Sequence, residues 1–593
     1  MTQPSAQPLS PPPNVLFILT DDQGYGDLSC HGSPVLQTPA MDRLHAESVR
    51  LTDFHVGPTC APTRSTLLTG HYANSTGVWH TIGGRSLLRD DEWTFADALQ
   101  SAGYRTALFG KWHLGDNAPY RPMDRGFQTT VTHGGGGISQ TPDHWGNDYF
   151  DDTYSNNGTP QQYEGYCTDV WFRLAKDYID QKDNRPFCCM IAPNAPHGPL
   201  NVEEQYAQPY RGKCNDWRAR FFGLIANLDE NLDALLDHLD ATGLADNTIL
   251  IFMTDNGTAG GVQIDRKGFV SDDGFNAGMR GTKGSPFDGG HRVPCFIRWP
   301  KGNIAGTPDT ARDVDDLTAS IDFMPTLLEL CGVTVPEDRT FHGTSLAPLL
   351  RGEPQPELHD RIVVTDSQRN VRPVKWKDSA AMQRKWRLIN GKSLYDIAAD
   401  PEQRDDIAAQ HPDVVAELRA GYEQWWDLVT ERADERIPIP VQPAGPTDLN
   451  AHDWRNDGGE APWHQGLIRT AQVSSGYWEL EVMQTGRYRV ELRRWPREAE
   501  AALDEAAPIV EWREDTVADS DAWWYEGGRQ TLFNHAVLKL DDQRLEQDIA
   551  PDADAAIFQV DLQAGPLLLQ ADFEGDTQGT IGAYYVRLEP AAD

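Results

Sequence analysis

Short apolar runs alternate with amphipathic segments from the start of the chain to about residue 350, and this alternation restricts the fold more than any other feature. Residues 14–20 (NVLFILT), 187–191 (FCCMI) and 248–253 (TILIFM) have the length and composition of buried strands. Between the last two, residues 218–239 place apolar side chains at steps of three and four, as in a helix with one buried face. Strands that alternate with helices predict an α/β fold with a mostly parallel central sheet between helical layers.

Changes in this pattern divide the chain into regions. Residues 1–353 form the predicted α/β domain, and residues 354–436, with a predicted hairpin at 385–395, indicate a smaller α+β subdomain. Residues 437–449 are rich in proline and predict a linker. The remaining residues, 450–593, contain several alternating stretches with turn residues between them, which predicts an appended β-sandwich.

Within the predicted β-sandwich, residues 477–483 and 487–492 alternate, and Gly486 between them predicts a hairpin turn. The segment 498–505 is acidic, which disfavours direct contact with a polyanionic glycan. If the first domain carries an active site, we expect the C-terminal domain to border the substrate site without supplying a catalytic group, and mainly to pack against the rest of the chain. Carbohydrate contact is an alternative role for three of its tryptophans, Trp478, Trp523 and Trp524. Burial is the commoner role of such residues.

The chain carries 89 acidic and 52 basic residues, a formal net charge of −37. This excess disfavours nucleic acid and anionic membranes as partners, and it requires local cations at any anion-binding site. No apolar run reaches the roughly 18 residues that span a bilayer. Residues 1–13 lack the basic start and apolar stretch of a signal peptide, so we expect a cytoplasmic protein, or a periplasmic or secreted one if a signal has been removed.

Two pairs of oxygen-bearing side chains directly follow predicted strands. Asp21 and Asp22 come after the first strand, and Asp255 and Asn256 come after the strand at 248–253. Open parallel sheets place ligand sites at these strand ends, and four hard oxygen donors suit Ca²⁺ or Mg²⁺. Taken singly, either pair has a structural alternative, since Asp-Asp can cap a helix and Asp-Asn-Gly can form a turn.

Residues 60–70 (CAPTRSTLLTG) place a cysteine at the start of a predicted helix. Pro62 suits the first turn, and Arg64 lies one turn further on. The chain has eight cysteines with no zinc-type CxxC spacing, and most of them suit buried, small apolar positions. An unmodified Cys60 at a helix start has the alternative role of a thiol nucleophile with a lowered pKa.

This segment resembles the C-x-P-x-R signature, followed by x-x-L-L-T-G, of the formylglycine-dependent (type I) sulfatases, and it matches at every specified position. The resemblance implies an alkaline phosphatase-like α/β/α sandwich. It also implies that a formylglycine-generating enzyme acts on the chain during maturation and oxidises Cys60 to formylglycine.

Further segments resemble sulfatase landmarks in the family's order. They are 110–115 (GKWHLG), 195–199 (APHGP), 255–257 (DNG), 280–285 (RGTKGS) and 289–294 (GGHRVP). The residues that the resemblance implies as catalytic are Cys60, Arg64, Lys111, His113, His197 and Lys283. Those that it implies as ligands of one Ca²⁺, with Mg²⁺ as the alternative, are Asp21, Asp22, Asp255, Asn256 and the side chain at position 60.

The resemblance also implies a reaction, the hydrolysis of aryl or carbohydrate sulfate monoesters through a formylglycine-sulfate intermediate. One hydroxyl of the hydrated aldehyde attacks sulfur, and Arg64 and Lys111 hold the sulfonate. His197 and Lys283 assist the departing oxygen. His113 then removes the proton of the second hydroxyl, which expels sulfate.

Two other functions remain open from the sequence. A phosphonate monoester or phosphodiester hydrolase of the same superfamily shares most of these residues, and an inactive sulfatase-like protein would only bind glycans. A lipase-like reading of the loop at 133–137 (HGGGG) fails because the chain has no GxSxG nucleophile segment. We expect that loop near the mouth of the site and His291 in a structural role. Further candidates for substrate contact follow the loop: His144, Trp145, Asp148 and Tyr149.

Overall fold

A computed structural model of the protein describes residues 11–456, 460–508, 510–518, 521–575 and 579–591. Most of the N-terminal segment on which the export-signal expectation rests, residues 1–10, lies outside these ranges. Within them, no helix combines the length and the apolar composition needed to cross a lipid bilayer.

From residue 11 to residue 353, the described part of the N-terminal region, the chain forms twelve strands and nine α-helices. The strands are β1 (Asn14–Thr20), β2 (Val49–Leu51), β3 (Phe54–His55), β4 (Arg105–Gly110), β5 (Thr129–Thr132), β6 (Thr153–Asn156), β7 (Thr159–Gln162), β8 (Phe187–Ala192), β9 (Thr248–Thr254), β10 (Cys295–Arg298), β11 (Arg312–Val314) and β12 (Thr318–Ala319). The helices are α1 (Pro39–Ala46), α2 (Cys60–Thr69), α3 (Phe95–Ser101), α4 (Cys167–Ile179), α5 (Glu204–Ala207), α6 (Asp216–Thr242), α7 (Asp288–His291), α8 (Phe323–Leu330) and α9 (Ala347–Leu350).

Ten of these strands form the central sheet, in the order β11-β2-β10-β9-β1-β8-β4-β5-β6-β7. The strands β9, β1, β8, β4 and β5 at its centre are all parallel, and antiparallel pairs occur towards the two edges. Because side chains alternate along a strand, β1 buries Phe17 and Leu19 on one face and Leu16 and Ile18 on the other. Helices α2, α3, α8 and α9 cover the first face, and α1, α4 and α6 cover the second. The predicted α/β/α arrangement is confirmed.

A four-stranded antiparallel sheet follows, with one long helix packed on it. Its elements are β13 (Val363–Asp366), β14 (Ser379–Gln383), β15 (Trp386–Ile389), β16 (Ser393–Asp396) and α10 (Pro412–Thr430). The predicted hairpin at 385–395 is confirmed as β15 and β16. Buried Arg387 on β15 reaches back to the first region, where it donates to Asp53 (2.6 Å) and Asp288 (3.2 Å). A buried charge satisfied on both sides in this way ties the two regions together.

The C-terminal region is a β-sandwich of two sheets. Its elements are β17 (Ile439–Val441), β18 (Thr447–Asn450), α11 (Gln465–Arg469), β19 (Tyr477–Val482), β20 (Gly486–Arg493), β21 (His535–Leu540), β22 (Gln543–Asp548), β23 (Ala556–Leu562), β24 (Gly565–Gly575), β25 (Gly579–Gly582) and β26 (Tyr585–Pro590). One sheet has the order β17-β19-β24-β21-β22, with β25 beside β24, and the other has the order β18-β26-β20-β23. Apolar side chains from both sheets form one shared core.

Two local predictions for this region are corrected by the structure. The turn at Gly486 is not a hairpin, because β19 pairs with β17 and β24 whereas β20 pairs with β23 and β26 in the other sheet. Trp478 of β19 and Val490 of β20 therefore enter one core from opposite sheets rather than from neighbouring strands. The proline-rich residues 437–449 are not a linker, since they include β17 and β18. Both strands lie at the edge of a sheet. Pro440 of β17 has no backbone N–H to donate, and an edge strand tolerates proline because only one of its sides pairs with another strand.

Candidate active site

Four strands of the central sheet end at the same edge, and each delivers predicted site residues there. Asp21 and Asp22 follow β1, and Asp255 and Asn256 follow β9. The end of β4 leads into Lys111 and His113, and the loop after β8 carries His197. Because parallel strands share their carboxyl edge, segments far apart in sequence meet at one site.

Cys60 is the first residue of α2, and it lies buried among the carboxylates of this edge. Its Sγ is 3.5 Å from Asp21 Oδ1 and 4.0 Å from Asp22 Oδ1. Burial raises the pKa of the Cys60 thiol to about 12, although Lys111 and Lys283 oppose the shift. A protonated thiol is a poor nucleophile, so these surroundings disfavour the alternative of an unmodified cysteine with a lowered pKa.

Three cations, the buried Arg64 and Lys111 and the half-buried Lys283, are paired with the three carboxylates. Lys111 Nζ donates to Asp21 (2.6 Å), and Lys283 Nζ lies 2.6 and 2.8 Å from the two oxygens of Asp22. Arg64 donates through two nitrogens to Asp255 Oδ2, at 2.8 and 3.2 Å, and through a third to the carbonyl of Lys111. Charge-assisted pairs of this kind hold each carboxylate in one orientation.

The pairing affects the protonation of Asp22 and Asp255 in opposite directions. Burial alone would raise the pKa of Asp22, but Lys283 and His197 outweigh it, and the pKa falls well below its usual range. Burial and neighbouring Asp21 raise the pKa of Asp255 to about 6, against the opposing effect of Arg64. Asp255 therefore lies where a cation would relieve its repulsion from Asp21.

The donor set fits a hard divalent cation. Ligand atoms of Asp21, Asp22, Cys60 and Asp255 all lie within 4.8 Å of one another, and all four residues are buried. Asn256 donates its amide N–H groups to Asp22 Oδ1 and to the carbonyl of Gly257, yet its own buried Oδ1 accepts no hydrogen bond within the described residues. A buried amide oxygen without a donor is costly, and a cation would satisfy it.

The hydrogen bonds of two histidines fix which ring nitrogen is free. His113 Nε2 is 2.8 Å from the carbonyl of Thr81 and must donate to it, so Nδ1 carries the lone pair, and Nδ1 has no partner within the described residues. Burial, assisted by Lys111, lowers the pKa of His113 well below its ordinary value. His197 Nδ1 donates to the carbonyl of Gly198, which turns Nε2 towards Asp22 Oδ2 at 3.8 Å.

Local backbone geometry supports these positions. Asp22 and His113 have φ angles of 69° and 64°, a left-handed conformation that side chains other than glycine seldom adopt. A side chain on Gly136 would lie 2.4 Å from the His113 ring, so this position accepts only glycine. The loop at 133–137 therefore lies near the site, as expected.

The site opens into a cavity of about 590 Å³ whose lining includes Cys60, His113, His197 and Lys283. Sequence reasoning missed most of the remaining wall, which comes from loops of all three regions: His80, Arg369, Trp454 and Trp463. None of them belongs to a motif or a periodic pattern, so only the folded chain brings them together. Trp454 and Trp463 confirm that the C-terminal region borders the site.

The other expectations have separate outcomes. His291 is buried, with Nδ1 2.8 Å from His55 and Nε2 bonded to the carbonyl of Pro286, as expected of a structural residue. Tyr149 donates its hydroxyl to the carbonyl of His197 and so fixes the backbone of that residue.

Four residues considered for substrate contact do not line the cavity at Cys60: His144, Trp145, Asp148 and Tyr149. Trp478 is fully buried, whereas Trp523 is 42% exposed.

These features define a hydrolase of the alkaline phosphatase-like fold, and comparison with known proteins identifies its family. The Sulfatase family model matches residues 13–333, and the model for the C-terminal part of N-sulphoglucosamine sulphohydrolase matches residues 283–425. The chain therefore belongs to the sulfatase family and is a sulfuric ester hydrolase.

Named relatives and solved structures agree with this assignment. Arylsulfatase J of Mus musculus is 28% identical over 517 residues, which cover 76% of this chain and 80% of the relative. N-acetylgalactosamine-6-sulfatase of Homo sapiens is 30% identical over 390 residues, which cover 59% and 68%. The crystal structure of Ps i-CgsB in complex with k-i-k-neocarrahexaose superposes with a TM-score of 0.61 at 25% identity, covering 70% of this chain and 93% of that one.

Proposed function

We propose that this protein hydrolyses a sulfate monoester of a saccharide, with residue 60 as the nucleophile after conversion of Cys60 to formylglycine. The observation that carries the proposal is the position of Cys60, at the floor of a cavity and in contact with a carboxylate cluster that three cations surround. A diol formed by hydration of the aldehyde offers a hydroxyl nucleophile that a buried, protonated thiol does not.

We also propose Ca²⁺, or Mg²⁺ in its place, as the cation of this site, held by Asp21, Asp22, Asp255, Asn256 and the side chain at position 60. When bound, such an ion supplies positive charge that orients the nucleophile and the sulfonate oxygens. The uncompensated Asn256 Oδ1 and the raised pKa of Asp255 support the proposal, since both groups gain a partner on binding.

The residues of the chain then divide the remaining tasks. Lys111 and Arg64 fix the carboxylates beside residue 60, and Lys283 brings a positive charge to the cavity wall where the ester oxygen departs. His113 holds an unpaired Nδ1 in the neutral state, which suits it to accept a proton from residue 60. Tyr149 and Gly198 hold His197 so that Nε2 points into the site.

A saccharide is the substrate class that the surroundings favour. The cavity is larger than a single sulfonate requires, and Trp463 contributes a half-buried aromatic ring to its wall. Named relatives act on sugars, among them the human N-acetylgalactosamine-6-sulfatase and an N-acetylglucosamine-6-O-sulfatase of Bacteroides thetaiotaomicron, 26% identical over 447 residues.

Turnover of matched esters tests this function. We expect p-nitrophenyl sulfate to be hydrolysed with a kcat/KM at least about 100-fold above that for bis-p-nitrophenyl phosphate or a phenylphosphonate monoester. We also expect at least one sulfated hexosamine or hexose to exceed p-nitrophenyl sulfate in kcat/KM, because only the sugar contacts the outer wall. A preference for the phosphodiester or the phosphonate would identify the protein as the alternative hydrolase, and binding of sulfated sugars without any turnover would identify an inactive member.

A further inference from the structure

Two loops beside the catalytic residues form one part of the cavity wall. His80 belongs to the first loop and Arg369 to the second, and both line the cavity together with Cys60 and Lys283. Trp79 Nε1 donates to the carbonyl of Asn370 (3.2 Å), which fastens the two loops to each other next to both residues. The wall is thus a built feature of the fold and not a pair of independent surface loops.

Two further contacts complete this fastening. Arg85 donates through Nε to the carbonyl of Val371 (2.6 Å) and through Nη1 to the carbonyl of Gly83 (2.7 Å). Gly83 in turn donates to the carbonyl of His452 (2.7 Å), which anchors the first loop on the C-terminal region. All three regions of the chain therefore hold the backbone that carries His80 and Arg369.

The ring of His80 has one nitrogen available as a donor. Its Nδ1 accepts hydrogen bonds from the backbone N–H groups of Thr81 (2.7 Å) and Ile82 (3.2 Å), so the proton of the neutral ring is on Nε2. Burial, together with the positive charges of Arg369 and Arg85, lowers the pKa of His80 to about 3. The charged groups with the largest effect on this ring are thus cations, in a chain whose net charge is −37.

Arg369 is an exposed cation that no carboxylate of the described residues neutralises. Within the same residues, its guanidinium has no hydrogen-bond or ion-pair partner, although it lies in the wall of the cavity. Arg372, three residues further along the same loop, shows the usual situation, with Asp434 at 2.9 Å. An unpaired arginine beside a histidine N–H donor is the arrangement that recognises a sulfate or a carboxylate.

We propose that Arg369 and His80 form a subsite for a second anionic group of the substrate, either a sulfate or a carboxylate. The preferred substrate is then a saccharide that carries this group in addition to the ester that reacts. This inference rests on the proposed saccharide sulfatase activity and adds a specificity-determining site to it. The cavity of about 590 Å³ has room for more than the reacting sulfonate and one small ring.

Steady-state kinetics of Arg369→Gln test the subsite. The probes are p-nitrophenyl sulfate, monosulfated hexosamines, the same hexosamines with a second sulfate, and monosulfated disaccharides with or without a uronate. For probes with two anionic groups we expect kcat/KM to fall about tenfold more than for p-nitrophenyl sulfate, mainly through KM, since one charge-assisted contact is lost. The disulfated and uronate probes show which anion the subsite takes. Arg372→Gln is the matched control and should leave every probe unaffected.

Several outcomes would overturn the subsite. One is an equal loss on all probes, which would give Arg369 a merely structural role, and another is no loss on either class of dianionic probe. A wild-type enzyme that hydrolyses the monosulfated sugars and rejects every dianionic one would also contradict it while leaving the sulfatase activity intact. Wild-type protein without turnover of any sulfate ester would instead refute the proposed function itself. His80→Ala provides a second variant, with a smaller loss expected on the same probes.

Discussion

Cys60→Ala should lower kcat for sulfate ester hydrolysis by about 10⁴-fold or more, since removal of a covalent nucleophile costs rates of this order. The variant should fold, because alanine occupies less space than cysteine at the buried start of α2 and the thiol makes only long contacts of 3.5 and 4.0 Å. The measurement is initial-rate turnover of p-nitrophenyl sulfate, with thermal unfolding as the check on folding.

A matched control uses another free cysteine. Cys214 is partly exposed and does not line the cavity, so Cys214→Ala should retain wild-type turnover. Cys60→Ser should be inactive like the alanine variant unless it is converted during maturation, because a single hydroxyl cannot return to an aldehyde. Wild-type rates in Cys60→Ala would contradict the assignment of residue 60 as the nucleophile.

Removal of the proposed cation is the second change with a large expected effect. Extended chelation should reduce kcat by about 10³-fold or more, and added Ca²⁺ or Mg²⁺ should restore it, since the buried carboxylates repel one another without a cation. Asp255→Asn should abolish the restoration, because it removes a ligand and also frees Arg64 from its double contact. Metal content and turnover of the same samples provide the readout.

An aspartate away from the proposed metal site provides the control. Asp265 lies in an exposed loop of the same region, so Asp265→Asn should bind metal and recover activity like the wild type. Stoichiometric zinc together with neither alkaline-earth ion, or full turnover after the metal has been removed, would contradict the proposed centre.

Much of the fold follows from the sequence because strand and helix patterns of the first region are strong. Residues 15–19 are continuously apolar, as a strand buried on both faces requires, and they lie in β1 at the middle of the sheet. The periodic stretch at 218–239 lies within α6, whose ends the Asn215 cap and Gly243 define. Patterns of this length identify an element without knowledge of its tertiary contacts.

Pairing in the C-terminal region could not be predicted in the same way. Apolar and polar side chains alternate along the strands on both sides of Gly486, as predicted. The same alternation occurs in a hairpin and in two strands that belong to different sheets, so it does not distinguish between them. Only the shared core decides in favour of the crossing. The edge strands β17 and β18 were missed because Pro440 and its neighbours suggest a linker, and edge positions tolerate proline.

The position of the carboxylates and of Cys60 could be predicted from the sequence, but the cavity wall could not. The carboxylates directly follow strands and Cys60 begins a helix, so the topology of the sheet brings them together at one edge. His80, Arg369 and Trp463 are on loops whose approach depends on contacts between regions, such as the bond from Trp79 to Asn370. The C-terminal region, expected mainly to pack, thus also completes the cavity.

The mass of the peptide that contains residue 60 tests the central claim most directly. Trypsin releases residues 51–64 as one peptide with a single cysteine. In active protein this peptide should be about 18 Da lighter than its sequence mass, since sulfur is replaced by oxygen and two hydrogens are lost. Across preparations with different levels of formylglycine-generating enzyme, specific activity should rise in proportion to the converted fraction. Full sulfatase activity in a preparation whose peptide has only the unmodified mass would contradict the account.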